Sequence, residues 1–175
     1  MGEVEIVQFD PDVHMEDLVK TYIGWGDWFF NGFKEHIQID FLALVSKTVH
    51  EWVNDNLEPY ISLKSPEGVL LLICDDDDVA GMGVMHKVRD DVGEIKRMFT
   101  RPQYRRRGYA RKILNELLEA GREVGCSTFL LDSPIWASAS HHLYRSTGFK
   151  EIEAYPESEI PTEYRKYWIF MEKKE

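Results

Sequence analysis

Six consecutive residues, Arg105-Arg106-Arg107-Gly108-Tyr109-Ala110, have the make-up of an anion seat. They lead straight into a stretch where Ala110, Ile113, Leu114, Leu117, Leu118 and Gly121 recur at helical spacing. Arg111, Lys112, Glu116, Glu119 and Arg122 fall on the opposite side, so the spacing predicts an amphipathic helix. The first N–H groups of such a helix have no partner within it and carry partial positive charge, which suits them to phosphate. Gly108 lets backbone approach the ligand closely, and small Ala110 lets the helix pack tightly. The arginines add attraction and bidentate donors. The same residue types also suit a solvated basic turn or a nucleic-acid surface, and charge helps to separate these readings.

The chain of 175 residues has a net charge of −10. From Lys96 to Lys112 there are eight basic residues and no acidic one. That leaves 13 basic against 31 acidic residues elsewhere, a net −18. A basic island in an acidic chain suits a small polyanion beside a cationic second substrate, and opposes nucleic acid as a partner.

The elements around this segment follow from periodicity and turn residues. Asp10-Pro11 opens a helix whose apolar positions are Met15, Leu18, Val19, Tyr22 and Ile23. An aromatic stretch follows, with Trp25, Trp28, Phe29, Phe30 and Phe33. Asp40 caps an expected second helix with Phe41, Leu44, Val45, Thr48, Val49, Trp52 and Val53 on one face. Residues 69–74 are continuously apolar, as in a strand buried on both faces. The acidic turn Asp75–Asp78 leads to a strand over 79–88, and Asp90-Asp91 to another over 93–100, an antiparallel meander. After the amphipathic helix come a strand at 128–131, a short helix at 138–147 ended by Gly148, and strands at 152–155 and 167–171. Between the last two runs an acidic loop over 156–166. This order predicts one α/β domain over residues 1–175, a mixed sheet of six to seven strands flanked by about four helices.

Arg105-x-x-Gly108-x-Ala110 resembles the coenzyme A pyrophosphate signature of the GNAT superfamily of N-acetyltransferases. Met98-Phe99-Thr100-Arg101-Pro102 resembles that family's apolar strand followed by proline. Leu143-Tyr144-Arg145-Ser146-Thr147-Gly148-Phe149 resembles its Leu-Tyr-x-x-x-Gly-Phe segment. The resemblance covers about residues 69–149. It departs where the family often has Asn, since this chain has Trp136-Ala137-Ser138, and Ser138 or Ser140 stands in.

The resemblance implies a GNAT-like fold and acetyl-CoA as co-substrate. Its seat would comprise Arg105, Arg106, Arg107, Gly108, Tyr109, Ala110, Arg111 and Ser138. The backbone of Met98, Phe99 and Thr100 would hold the pantetheine arm like an added strand, with a Met98 N–H near the oxyanion. Glu94 lies eleven residues before Arg105, the offset of the general base in some members of the family. An alkylamine has a pKa near ~10.4, so a base helps it react at neutral pH. Tyr144 is then the candidate general acid toward the leaving sulfur. A solvated strand-end carboxylate and a core tyrosine are the plain alternatives for these two residues. The aromatic stretch and the loop carrying Glu157, Glu159 and Glu163 would border the acceptor site, or simply pack and solvate.

Other features carry less. Asp75–Asp78 lacks the spacing of a calcium loop, and adjacent His141-His142 point about 100° apart on a helix, so no metal is expected. No Gly-x-Ser-x-Gly surrounds Ser133. Cys74 and Cys126 sit in or before apolar runs and do not make a disulfide framework. Met1-Gly2 does not open a myristoylation signal, because Ile6 and Val7 stand where Ser or Thr is needed. With no secretory signal and no apolar run long enough to span a membrane, a cytoplasmic protein is expected, monomer or homodimer.

The function expected is acetyl-CoA-dependent N-acetyl transfer to a primary amine, small-molecule or protein, by direct attack. A cationic acceptor such as a polyamine, amino sugar or protein amine suits the acidic remainder of the chain. A non-catalytic acyl-CoA sensor and a transferase of longer acyl chains are the alternatives.

Overall fold

A computed structural model describes residues 3–175, so the reading of Met1-Gly2 lies outside the described residues. In chain order, β1 (Val4–Gln8) is followed by α1 (Pro11–Ile37), α2 (Phe41–Leu44), α3 (Val49–Asn56) and α4 (Glu58–Ile61). The meander β2 (Gly68–Asp75), β3 (Asp78–Arg89) and β4 (Val92–Thr100) comes next, then α5 (Tyr109–Glu123), β5 (Thr128–Pro134) and α6 (Ser138–Ser146). β6 (Lys150–Ile152) and β7 (Trp168–Lys174) end the chain. All seven strands form one mixed sheet in the order β1-β2-β3-β4-β5-β7-β6. Among the described residues only β4 and β5 pair in parallel.

Both faces of the sheet are buried, as the unbroken apolar run of β2 requires. Its Leu71 and Ile73 pack under α5, with Ile113, Leu114 and Leu117. Leu70, Leu72 and Cys74 face the other way, against Leu18, Tyr22 and Trp25 of α1 and Val53 of α3. Alternation along a strand thus sends successive residues into two separate cores.

The structure differs from the sequence expectations in five places. α1 does not stop before the aromatic stretch but runs through it to Ile37, capped at its start by Asp10, whose carboxylate accepts from the Asp12 N–H at 2.9 Å. The helix expected from Asp40 is broken in two. Thr48 and Glu51 form a capping box that starts α3 afresh, after a left-handed turn at Ser46. β1 was not anticipated; it pairs with β2 and covers what would otherwise be an edge. The strand expected at 152–155 lies at 150–152 instead, because Tyr155 turns inward to bond the carboxylates of Glu94 and Asp132. The helices number more than the four expected, since the segment between α1 and β2 is three short turns of helix rather than one.

α5 seats closely on β3. A Cβ on Gly83 would lie 2.7 Å from Ile113 Cγ2 and 2.8 Å from Leu117 Cδ1. Gly83→Val should therefore force α5 away from the sheet and destabilise the protein by about 1–3 kcal/mol. Thermal unfolding is the check, with a melting temperature lower by about 2–10 °C.

Candidate active site

The start of α5 is built as an anion seat. Gly108 precedes the helix at φ 81° and Arg106 at φ 64°, two left-handed residues that aim successive N–H groups out of the turn. No side chain caps the helix, and its first turn holds no acidic residue. Gly108, Ala110, Arg105, Arg106 and Arg111 line a cleft of about 460 Å³. The Arg105 Nε donates to the Thr100 carbonyl at 3.2 Å and the Arg111 guanidinium to Ser146 Oγ at 2.7 Å, so both are held over the cleft's rim.

The cleft continues between strands. β4 and β5 pair only over residues 92–94 and 128–130. Beyond Glu94 they part: β4 then pairs with β3 alone, and β5 with β7 alone. A bulge at Arg97, φ 53°, shifts the register between Met82 and Val84 and bends β4 away. Met98, Phe99 and Thr100 line one wall of the opening, and Trp136, Ser138, Ser140 and Tyr144 the other. The Thr100 hydroxyl is buried there without a partner, as a group waiting to meet a ligand would be. These residues fit an extended phosphorylated thioester: free helix N–H groups for pyrophosphate, then a strand-width slot with unpaired backbone.

Of the expected cofactor residues, Met98, Phe99, Thr100, Arg105, Arg106, Gly108, Tyr109, Ala110, Arg111 and Ser138 all line this cleft. Arg107 does not. Its guanidinium is turned to the Asp75 carboxylate at 2.7 Å, which also accepts from the Tyr109 hydroxyl at 2.7 Å. Asp78 likewise accepts from Tyr104 at 2.7 Å. The acidic turn, which sequence read only as a link between strands, therefore braces the loop before α5 from behind. Its own turn residue carries the strain, Asp76 at φ 54°.

A second cavity, of about 330 Å³, opens on the other side of the β4–β5 parting. Trp25, Trp28, Phe29 and Phe33 of α1 line it with Trp52, Phe41, Tyr164 and Trp168. Lys96, Arg97, Asp132 and Glu159 complete its wall. Trp28, Met98, Ala137, Ser140 and Tyr144 border both cavities, so the two meet there.

Tyr144 stands at that junction, 6% exposed. Burial and the nearby Asp132 charge push its phenol well above the ordinary value, so it keeps its proton and can donate it. Glu94 lines neither cavity. It is 1% exposed at the vertex of the parting strands, where its carboxylate accepts from Tyr155 at 2.7 Å and meets His86 Nε2 at 2.9 Å and Lys96 Nζ at 3.4 Å. Burial alone would raise this carboxyl, but the His86 hydrogen bond, the Lys96 charge and the Tyr155 hydrogen bond together hold it below the usual carboxylate range.

Two carboxylates reach the cavity, Glu159, paired with Lys96 at 2.8 Å, and Asp132, toward the end of β5. Asp132 accepts from Ser158 at 3.0 Å and from Tyr155 at 3.3 Å. Burial pushes its pKa up, with the Lys96 charge opposing and Glu94 adding to the rise. Sequence reading passed over Asp132. The available signal was an acidic residue closing an otherwise apolar strand in the segment that leads to Tyr144. His141, by contrast, is a satisfied core residue against Ser133 Oγ at 3.1 Å. Among the described residues no group of three or more His, Cys, Asp and Glu side chains stands together as a metal site. No helix among them is long and apolar enough to cross a membrane.

Residues 33–149 match the model of the acetyltransferase (GNAT) family. The chain belongs to that family. Membership makes this acetyltransferase an enzyme of the N-acetyltransferase kind. It is 28% identical over 156 residues to the uncharacterized N-acetyltransferase YsnE of Bacillus subtilis (strain 168), covering 79% of this chain and 99% of the relative. It is 30% identical over 95 residues to the uncharacterized N-acetyltransferase YedL of Escherichia coli (strain K12), covering 53% of this chain and 60% of the relative. In fold it resembles the PaiA N-acetyltransferase of Thermoplasma acidophilum, solved in complex with coenzyme A, at a TM-score of 0.71 and 17% identity over 99% of both chains.

Whether the start of α5 seats a phosphate is tested by Gly108→Val. A β-branched residue is strained at this left-handed position by about 1–2 kcal/mol, and the side chain would stand where the ligand must approach. Calorimetric titration with coenzyme A should show about tenfold weaker binding or more. Binding to the parent protein should also weaken as salt is raised.

Proposed function

We propose that the protein transfers an acetyl group from acetyl-CoA to a primary amine by direct attack. The observation that carries this reading is the meeting of two cavities at Tyr144. One leads to the free helix start of α5 and the other ends at the desolvated carboxylate of Asp132. The family and the complex of its Thermoplasma relative with coenzyme A support the donor.

In this mechanism the amine arrives as an ammonium. Asp132 takes a proton and frees the nitrogen lone pair, which forms a C–N bond at the acetyl carbonyl carbon. The Met98 N–H supports the oxyanion. When the C–S bond breaks, Tyr144 donates its proton to the sulfur and regains one from the new amide's nitrogen. Of the two protons that leave nitrogen, one ends on the thiol and the other passes out from Asp132. Its path is the chain of hydrogen bonds from Asp132 to Tyr155, to Glu94, to His86, whose side chain is 27% exposed. Burial and the flanking carboxylates keep the Tyr155 phenol protonated, so it hands on protons without accumulating charge. Glu94 thus acts through Tyr155, rather than on the amine itself.

Asp132→Asn should lower kcat by about 10²–10⁴-fold and leave coenzyme A affinity unchanged. Its raised pKa means the parent rate climbs with pH through a value above the ordinary carboxylate range, and that acid limb should vanish in the variant. The sign on stability is opposite to the usual carboxylate. A folded pKa above the unfolded one means stability is lost as pH rises through that window, so Asp132→Asn should melt no lower than the parent at neutral pH. Glu94→Gln should lower turnover by interrupting the path from Tyr155 to His86. Tyr144→Phe keeps the ring and should abolish most thiol release from acetyl-CoA. Parent-like activity in Asp132→Asn and Tyr144→Phe would defeat the mechanism, and tight coenzyme A binding without thiol release from any amine would point to a sensor instead.

A further inference from the structure

The acceptor cavity has more character than a general amine site requires. Nine of its lining residues are aromatic, and the rings come from distant parts of the chain. Trp25 and Phe29 stack at 4.6 Å and 15°, Phe33 meets Phe29 at 5.1 Å and 70°, and Trp168 meets Phe33 at 5.5 Å. Trp52 closes one side against Trp25 at 6.1 Å. Rings locked against one another in this way form a rigid, flat-walled slot and not a collapsible apolar patch.

Charge in the slot is sparse and already allotted. Glu159 is paired with Lys96 at 2.8 Å, and that charge holds its carboxyl below the usual range against the effect of burial. Arg97 is committed to the Tyr22 hydroxyl at 2.8 Å and lies 4.7 Å over the Trp25 ring and 4.9 Å over Tyr60. Asp132 is the remaining carboxylate, with hydroxyl partners and no ion pair among the described residues. One ammonium therefore has a seat. A second cationic group on the same molecule would lie among aromatic rings, with Lys96 and Arg97 already charged in the wall. An amino sugar would bury hydroxyls against rings that offer few partners.

We propose that the acceptor is an arylalkylamine, a primary monoamine joined by a short carbon chain to a flat aromatic body. This rests on the acetyl-transfer reading of the same site. The amine reaches Asp132 beside Met98 and Tyr144, and the aryl group lies against the wall that Phe29, Phe33, Trp52 and Trp168 form. The volume of about 330 Å³ holds one such body and is small for a folded protein segment or an oligosaccharide. This narrows the acceptors that the acidic composition suggested, because the net charge of the chain is not the charge of the cavity wall.

The test is thiol release by the full-length protein with acetyl-CoA and four amines: tryptamine, 2-phenylethylamine, spermidine and glucosamine. The expected result is kcat/KM at least about 100-fold higher for the two arylalkylamines, with N-acetyl product confirmed by mass. Trp52→Phe, a mild change of ring size in a residue that lines only the acceptor cavity, should raise KM for tryptamine while KM for acetyl-CoA stays put. Spermidine or glucosamine turned over as well as, or better than, the arylalkylamines would overturn the substrate class and leave acetyl transfer standing. Thiol release from no amine, with coenzyme A still bound, would overturn the acetyl-transfer reading and this proposal with it.

Discussion

The separation of two parallel strands organises this protein. β4 and β5 share three residues of ladder and then diverge, each keeping its other neighbour. A sheet interior does not normally give up hydrogen bonds, since an unpaired buried backbone group costs about as much as a lost hydrogen bond. Here the loss is converted into a slot lined with backbone donors and acceptors, which an extended ligand can complete. The bulge at Arg97 is the device that holds the strands apart. Its left-handed backbone is uncommon for arginine, and it persists because the side chain is clamped by Tyr22, Trp25 and Tyr60.

The vertex of the parting strands cannot be filled with apolar side chains alone, because the polar chemistry lies there. Glu94, Lys96, Asp132, Tyr155, Ser158 and Glu159 occupy it as one connected group. Charges this deep persist only when each is answered. Glu94 has three partners, and its carboxyl is held low. Asp132 has only hydroxyls, and its carboxyl is pushed high. Two acids within reach of one tyrosine are thus tuned in opposite directions by their neighbours, as an acid–base site requires.

The phosphate loop shows a similar division of labour. Arginines are attractive to a phosphorylated ligand, but long side chains are entropically costly to hold. Arg107 and Tyr109 are tied down by Asp75, and Tyr104 by Asp78, so the loop's backbone is fixed before any ligand arrives. The acidic hairpin turn between β2 and β3 therefore serves the basic loop that precedes α5. That pairing joins residues some thirty positions apart, and local sequence holds no hint of it.

Sequence alone determined the amphipathic α5 with the glycine before it, the meander of β2 to β4 and the tyrosine of α6. Each depends on local rules: helix periodicity, turn residues, and a glycine placed where a left-handed residue is needed. The family and the mixed sheet followed from those segments, as did most of the residues that line the cleft beside α5. The tertiary structure decided the rest. It ran α1 through its aromatic stretch, since burial against the sheet and the late Trp168 outweighs the weaker helix preference of aromatic residues. It withdrew Glu94 behind Tyr155 and brought Asp132 to the cavity, because strand divergence, not spacing, determines which carboxylate meets a ligand. The second cavity lies where α1, α3, β5 and the final loop converge, and contacts between segments that distant leave no mark in any local pattern.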